Sequence, residues 1–187
     1  MQHKSFGTMQ CPIARSLERV GEWWSILILR DAFYGLTRFD EFQKSLGIAP
    51  NMLTRRLNSL VEAGLLSRHR YSERPPRYEY RLTDRGRDFR SVFLALLAWG
   101  NRHFTPDGKS VLIADKKTGA VVDPVLVDRA TGRELSERDF EFVPGPAANQ
   151  RTRKRLAFAA QPIPAAEPPH HTSQKRPKRS ESRHARN

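Results

Sequence analysis

An α+β fold is what this sequence predicts, on three observations. Four helical segments with apolar periodicity crowd residues 1–64, and the last two are separated only by Gly47-Ile48-Ala49-Pro50. Two β-type runs follow, at 65–71 and 77–82, and a long helical segment begins after Thr83. A short helix, a tight glycine turn and a second amphipathic helix make a helix-turn-helix. A hairpin directly after it is the wing of a winged-helix domain.

Each element is marked at its ends. Pro12 suits a first helical position, where its missing N–H is no loss, and Ile13, Leu17 and Val20 fall at i, i+4 and i+7 before Gly21. The run EWWSILILRDAFY is almost continuously apolar from Trp23 to Leu29, and its 13 residues between Gly21 and Gly35 favour a buried helix. Phe39, Phe42 and Leu46 form the next stripe, with Thr37 expected as the N-cap and Gly47 as the stop. Leu53, Leu57, Leu60 and Val61 line one side of the fourth helix, which Gly64 terminates. In the second β run Tyr78, Tyr80 and Leu82 alternate with Arg77, Glu79 and Arg81; the SERPP before it is expected to be a projecting turn. Thr83 then caps the long helix, where Phe89, Val92, Phe93, Leu96 and Leu97 share a stripe and Leu94 and Trp99 lie off it. So wide an apolar face exceeds a single intradomain contact and reads as the surplus surface of a dimerisation helix, although a cover from the downstream segment would give the same pattern.

Three regions are expected: a winged helix-turn-helix domain over 11–104, a small β-hairpin extension over 105–143 and a disordered, basic, Pro-rich tail over 144–187. The extension repeats itself at a 13-residue offset, DKKTGAVV from Asp115 and DRATGREL from Asp128, each a D-x-x-T-G turn between short apolar runs. Seven of the thirteen prolines fall from Pro144 onward, where ten Lys/Arg face only Glu167 and Glu181; the rest of the chain carries 23 basic and 18 acidic residues. A basic balance of this kind favours a polyanion, nucleic acid first. The lone Cys11 excludes an intrachain disulfide and points to a reducing compartment, so a cytoplasmic, nucleoid-associated location is expected. The first ten residues lack the apolar run of a secretory signal, no uncharged stretch approaches the roughly 18 residues of a membrane span, and no membrane partner is expected. With no glycine-rich phosphate loop, nucleophile elbow or H-E-x-x-H, and with His170 and His171 in the tail, neither catalytic residues nor a cofactor are expected.

The fourth helix carries the binding chemistry. Asn51, Arg55, Asn58 and Ser59 turn away from the leucine stripe, Met52 and Thr54 stand at its edges, and no acid intervenes before Glu62. Asn and Arg bond adenine and guanine edges bidentately, and Ser, Thr and Met tolerate polar or methyl-bearing neighbours in a major groove. Double-stranded DNA is therefore the expected partner. Arg74 and Arg77 flank the prolines of the wing and Arg38 opens the third helix, and all three are assigned to phosphate positioning rather than base reading. The main rival is a general nucleic-acid-binding protein dominated by its tail. A more distant one gathers Trp23, Trp24, Phe33, Tyr34 and Trp99 into a ligand pocket.

Taken together, CPIARSLERVGEWWSILILRD, RFDEFQKSLGIAPNMLTRRLNSLVEAGLL and YSERPPRYEYRLTDRGRDF closely resemble the HxlR-type bacterial transcription regulators, over about residues 11–104. The resemblance implies a homodimer joined through the first and last long helices, bound to operator DNA by the fourth helix and wing at two half-sites about one helical turn, or a multiple of it, apart. Many relatives have serine where Ala49 stands, so a capping hydroxyl worth about 0.5–2 kcal/mol is missing, and many have lysine where Trp23 stands. Residues 105–143 look like the C-terminal extension of one branch, a small zinc ribbon with cysteines in its turns; Thr118, Asp128 and Thr131 stand in those places, and no metal is expected. Some members sense oxidants or electrophiles with a cysteine at the position of Cys11. Before Pro12 that thiol sits at an N-cap, where the helix dipole favours a thiolate, and a disulfide would need Cys11 of the other subunit or a small thiol. A small cap residue of ordinary reactivity is the alternative.

Overall fold

The computed structural model describes residue 9 and residues 11–136 and 138–159. The helices are α1 (Pro12–Val20), α2 (Trp23–Phe33), α3 (Phe39–Leu46) and α4 (Pro50–Glu62), followed by strands β1 (Leu66–Glu73) and β2 (Pro76–Leu82). Then come α5 (Asp84–Asp88), α6 (Arg90–His103), β3 (Ile113–Ala114), β4 (Val121–Val122) and α7 (Gln150–Ala159). Leucine spacing decides which side of each helix turns inward. Leu53, Leu57 and Leu60 of α4 meet Ile28 and Leu29 of α2 and Phe42 of α3 in a core from which solvent is excluded, and Leu66 and Tyr80 close it from the hairpin. The helix-turn-helix bends at Gly47, whose φ of 60° lies in the left-handed region that glycine adopts without strain. Ile48 in the same turn is buried and anchors the bend.

β1 and β2 pair antiparallel from Leu66 opposite Leu82 to Glu73 opposite Pro76, with an irregularity between Arg70 and Ser72. The strands run into the segment expected to be a turn, leaving only Arg74 and Pro75 as the loop. Pro76 is accommodated because it ends a two-stranded ribbon, where no further strand needs its missing N–H. The start of α3 is tied to this ribbon: the Tyr80 N–H donates to the Thr37 carbonyl at 2.7 Å, and Arg38 bridges to Glu79. Thr37 is consequently not the cap of α3. Arg38 takes that position, and the Glu41 carboxylate accepts from the backbone N–H groups of Arg38 (2.8 Å) and Thr37 (2.9 Å).

The long helix expected after Thr83 is divided at Phe89. Thr83 does cap α5, accepting from the Gly86 N–H at 3.1 Å while donating to the Gly64 carbonyl at 2.6 Å. The Phe89 N–H turns to the Gly86 carbonyl at 3.2 Å, a tighter i to i−3 bond. Only then does α6 set off, and Phe93 stacks on Phe33 of α2 with ring centroids 5.5 Å apart. Val92, Leu96 and Trp99 of α6 remain exposed, as do Ile13 and Leu17 of α1 and Trp23.

The first D-x-x-T-G turn joins β3 to β4, and the second closes on a single bridge, Val127 with Glu134. Part of the stretch expected to be disordered is helical instead: Gln150–Ala159 forms α7. That stretch holds neither proline nor glycine, and the Asn149 side chain accepts from the Thr152 N–H at 2.9 Å. The proline-rich composition belongs to its flanks. Residues 160–187 of the expected tail, with His170 and His171, lie outside the described residues.

Candidate nucleic-acid interface

On α4 the buried leucines place Asn51, Thr54, Arg55 and Asn58 on the exposed side, with Met52 and Ser59 half-buried at its margins. The hydroxyls are turned back to the helix: Thr54 donates to the Pro50 carbonyl at 2.9 Å and Ser59 to the Arg55 carbonyl at 3.0 Å, which leaves their lone pairs for a donor outside. Neighbouring arginines differ in kind. Arg56 is half-buried and ion-paired to Glu22 at 3.2 Å, fixing α4 to the start of α2. Arg55 extends from the exposed face. The N-terminus of α4 starts at Ala49, whose carbonyl takes the N–H groups of Met52 and Leu53 at 3.0 Å each and whose side chain offers no cap.

Arg74 stands at the wing tip and Arg77 opposite Ser72 on β2, both exposed. Arg38 lies with its guanidinium 4.9 Å from the Tyr71 ring centre, so the start of α3 and the wing present cations together. Between them runs an open groove of about 500 Å³, lined by Phe39, Asp40, Tyr71, Arg77, Tyr78 and Tyr80 among others. Expectation from sequence missed three further basic side chains on β1, Arg68, His69 and Arg70. Arg68 lies 4.8 Å over the Tyr78 ring, and Arg70 binds the carbonyls of Ser72 (3.2 Å) and Glu73 (3.0 Å) to shape the approach to the tip. The signal was present: the run Arg68-His69-Arg70 places two arginines at i and i+2 on one face of a two-stranded ribbon, with no second sheet to cover it.

Glu41, beneath this surface, is held below the usual carboxylate range, first by the Arg38 N–H and then by that of Thr37. It stays ionised at neutral pH and keeps the start of α3 in place. Cys11 is the N-cap of α1, half-exposed, with Pro12 following. The Ala14 N–H chiefly lowers its thiol pKa, partial burial opposes that, and the nearby Arg155 guanidinium adds to the lowering. The five aromatics of the pocket reading do not converge. Phe33 and Tyr34 meet Phe93, Trp99 meets His103 and Phe104, and Trp23 is largely exposed. In the two D-x-x-T-G turns, Thr118 and Thr131 each donate a hydroxyl hydrogen bond to the aspartate that opens their turn, at 3.0 and 2.6 Å. Among the described residues no helix is long and apolar enough to cross a membrane.

A helix-turn-helix whose second helix is polar and free of acid on its outer face until Glu62, followed by a wing with Arg74 at its tip and Arg38 against its Tyr71, defines the class: a winged helix-turn-helix DNA-binding protein. The pattern described as HxlR-like helix-turn-helix matches residues 19–108. The chain is 41% identical over 135 residues to the uncharacterized HTH-type transcriptional regulator Rv3095 of Mycobacterium tuberculosis, covering 72% of this chain and 85% of that one. To PA1374 of Pseudomonas aeruginosa, a solved structure, it is 57% identical with a TM-score of 0.57, covering 78% of this chain and 100% of that one. PA1607, also solved, is 39% identical with a TM-score of 0.67, covering 75% and 99%. The chain belongs to the HxlR-like helix-turn-helix family.

Proposed function

We propose that this protein is a sequence-specific transcriptional regulator that binds operator DNA as a homodimer, reading bases with Asn51, Arg55 and Asn58. Met52, Thr54 and Ser59 border that readout, and Arg38, Arg74 and Arg77 hold the phosphate backbone on either side. The observation that carries the reading is the outer face of α4, which is polar, free of acid until Glu62 and set against a leucine side fully committed to the core. Two solvent-facing apolar sets support the homodimer. Ile13, Leu17 and Trp23 on the first two helices and Val92, Leu96 and Trp99 on α6 are each at least 43% exposed, and a second copy would bury them. Oxidants or electrophiles are the proposed input at Cys11, where the helix start favours the thiolate.

Selection of bound duplexes from a random pool tests the reading. It should return a consensus of two half-sites whose centres lie about 10 bp, or a multiple of that, apart. Arg55→Ala should then lower discrimination at one base position by about 1–3 kcal/mol while leaving affinity for random duplex nearly unchanged. Equal losses on selected and random duplex would remove base reading by Arg55. A pool that yields no consensus would leave only a general polyanion binder.

A further inference from the structure

We propose that α7 is a second DNA-contacting element, a helix that lies along the phosphate backbone and lengthens the footprint beyond what α4 and the wing touch. The proposal deepens the DNA-binding reading and rests on it. In ten residues α7 carries Arg151, Arg153, Lys154 and Arg155 and no acid, and the sequence contains no Asp or Glu between Glu141 and Glu167. Elsewhere arginines find carboxylates: Arg30 with Asp31, Arg56 with Glu22, Arg81 with Glu79, Arg87 with Asp84 and Arg133 with Asp139. Among the described residues none of the α7 cations has such a partner. Arg151 faces Lys154 and Arg155 at i+3 and i+4, so the isolated helix sustains like-charge repulsion that a polyanion would relieve.

One side of this helix is partly shielded from solvent. Thr152 and Leu156, one turn apart, are half-buried, while all four cations are exposed. Arg153 fastens the entry by donating from Nε to the Ala148 carbonyl at 3.1 Å, and Arg155 lies against the Cys11 thiol at the start of α1. From Arg151 to Arg155 the helix rises about 6 Å, within which a DNA strand presents roughly two phosphates along its axis. A bilayer surface would need a wide apolar face beside the cations. Here the Thr152/Leu156 side is half-buried, and Phe158 is left as the exposed large apolar side chain of the helix.

The test uses the full chain and a random-sequence 40-bp duplex, so it needs no operator. Replacing Arg151, Arg153 and Lys154 together by glutamine spares Arg155 and its cysteine contact. The slope of log affinity against log salt should become shallower by about 2 per bound chain, near 0.9 for each of the two phosphates that are no longer neutralised. Arg151→Lys with Arg153→Lys should keep the parental slope, because charge and not helix shape is at stake. An unchanged slope in the triple variant overturns the proposal, and so does a loss in the lysine pair equal to that in the triple variant. Retained duplex affinity with lost binding to phosphatidylglycerol vesicles also overturns it, assigning α7 to a membrane surface. Preference for a selected sequence over random duplex belongs to α4 and should survive in the triple variant; absence of any preference in the parent protein would defeat the operator reading while leaving the slope comparison standing.

Discussion

The winged-helix domain and the hairpin extension behind it keep their shapes by different means. The buried apolar side chains of the described residues all lie between Val20 and Tyr80, in helices and strands that meet across the chain. Described residues of the extension bury none, and its order is written in turns, where Asp115 gathers the N–H groups of Lys117 and Thr118 and Asp128 gathers that of Thr131. Burial couples distant residues, so the first region should unfold as a unit. A turn couples three or four neighbours, so the second should loosen locally. The largest effect that can break this contrast is Leu57→Ala, in a side chain with no exposed surface. It should lower stability by about 2–5 kcal/mol, read as a shift of the denaturant midpoint. Val121→Ala in β4, at 62% exposure, should stay within about 0.5 kcal/mol. Similar losses from the two would show that the extension is part of the cooperative core.

A smaller effect sits where the domain meets α6. Gly86 is buried, and a Cβ there would run into the Leu65 carbonyl oxygen and crowd a methyl of Leu82. Gly86→Ala should therefore push α5 away from Leu65 and β2 and cost about 1–3 kcal/mol by overpacking, with the Phe93–Phe33 stack disturbed in the near-ultraviolet circular dichroism. Stability equal to the parent would mean that α5 does not hold α6 against the core.

That junction also shows where sequence reasoning stopped. The first four helices were legible because glycine or proline punctuates them and leucine or phenylalanine repeats at helical spacing, and these are local signals. The break at Phe89 was not, because no glycine or proline stands there and Gly86, whose carbonyl takes the Phe89 N–H, packs against the Leu65 backbone, a contact across the fold. Thr37 looked like a cap by residue type, but its carbonyl is taken into the ribbon by Tyr80, and the capping position moves to Arg38. Of the interface, Asn51, Thr54, Arg55 and Asn58 could be placed from the wheel of α4, since the leucines determine the opposite side. The stacking of Arg38 on Tyr71 could not, because it joins residues 33 positions apart. Proline misled twice: Pro75 and Pro76 concealed how far the strands extend, and the prolines around α7 concealed a helix that contains none.

The smallest global effect belongs to the extension and sharpens the contrast through pH. Asp115 is held below the usual carboxylate range, first by the Thr118 N–H and next by that of Lys117, and Asp128 by the Thr131 hydroxyl and then its N–H. A carboxylate whose pKa is lower in the folded state contributes stability that is fully present above its unfolded value, about 3.9 for aspartate, and is lost as pH falls through the folded value. The turns should thus be intact at neutral pH and released only in acid. Amide proton shifts of Lys117, Thr118 and Thr131 should move together as pH drops below about 4, while amides of α4 with no carboxylate partner should not follow them. Asp128→Ala should reproduce the acid form of the second turn at pH 7, shifting the Thr131 amide and speeding exchange at Gly132, yet leave the denaturant midpoint where it was. A lowered midpoint in that variant would reverse the comparison, because a turn with no buried side chain would then be contributing to the stability of the domain in front of it.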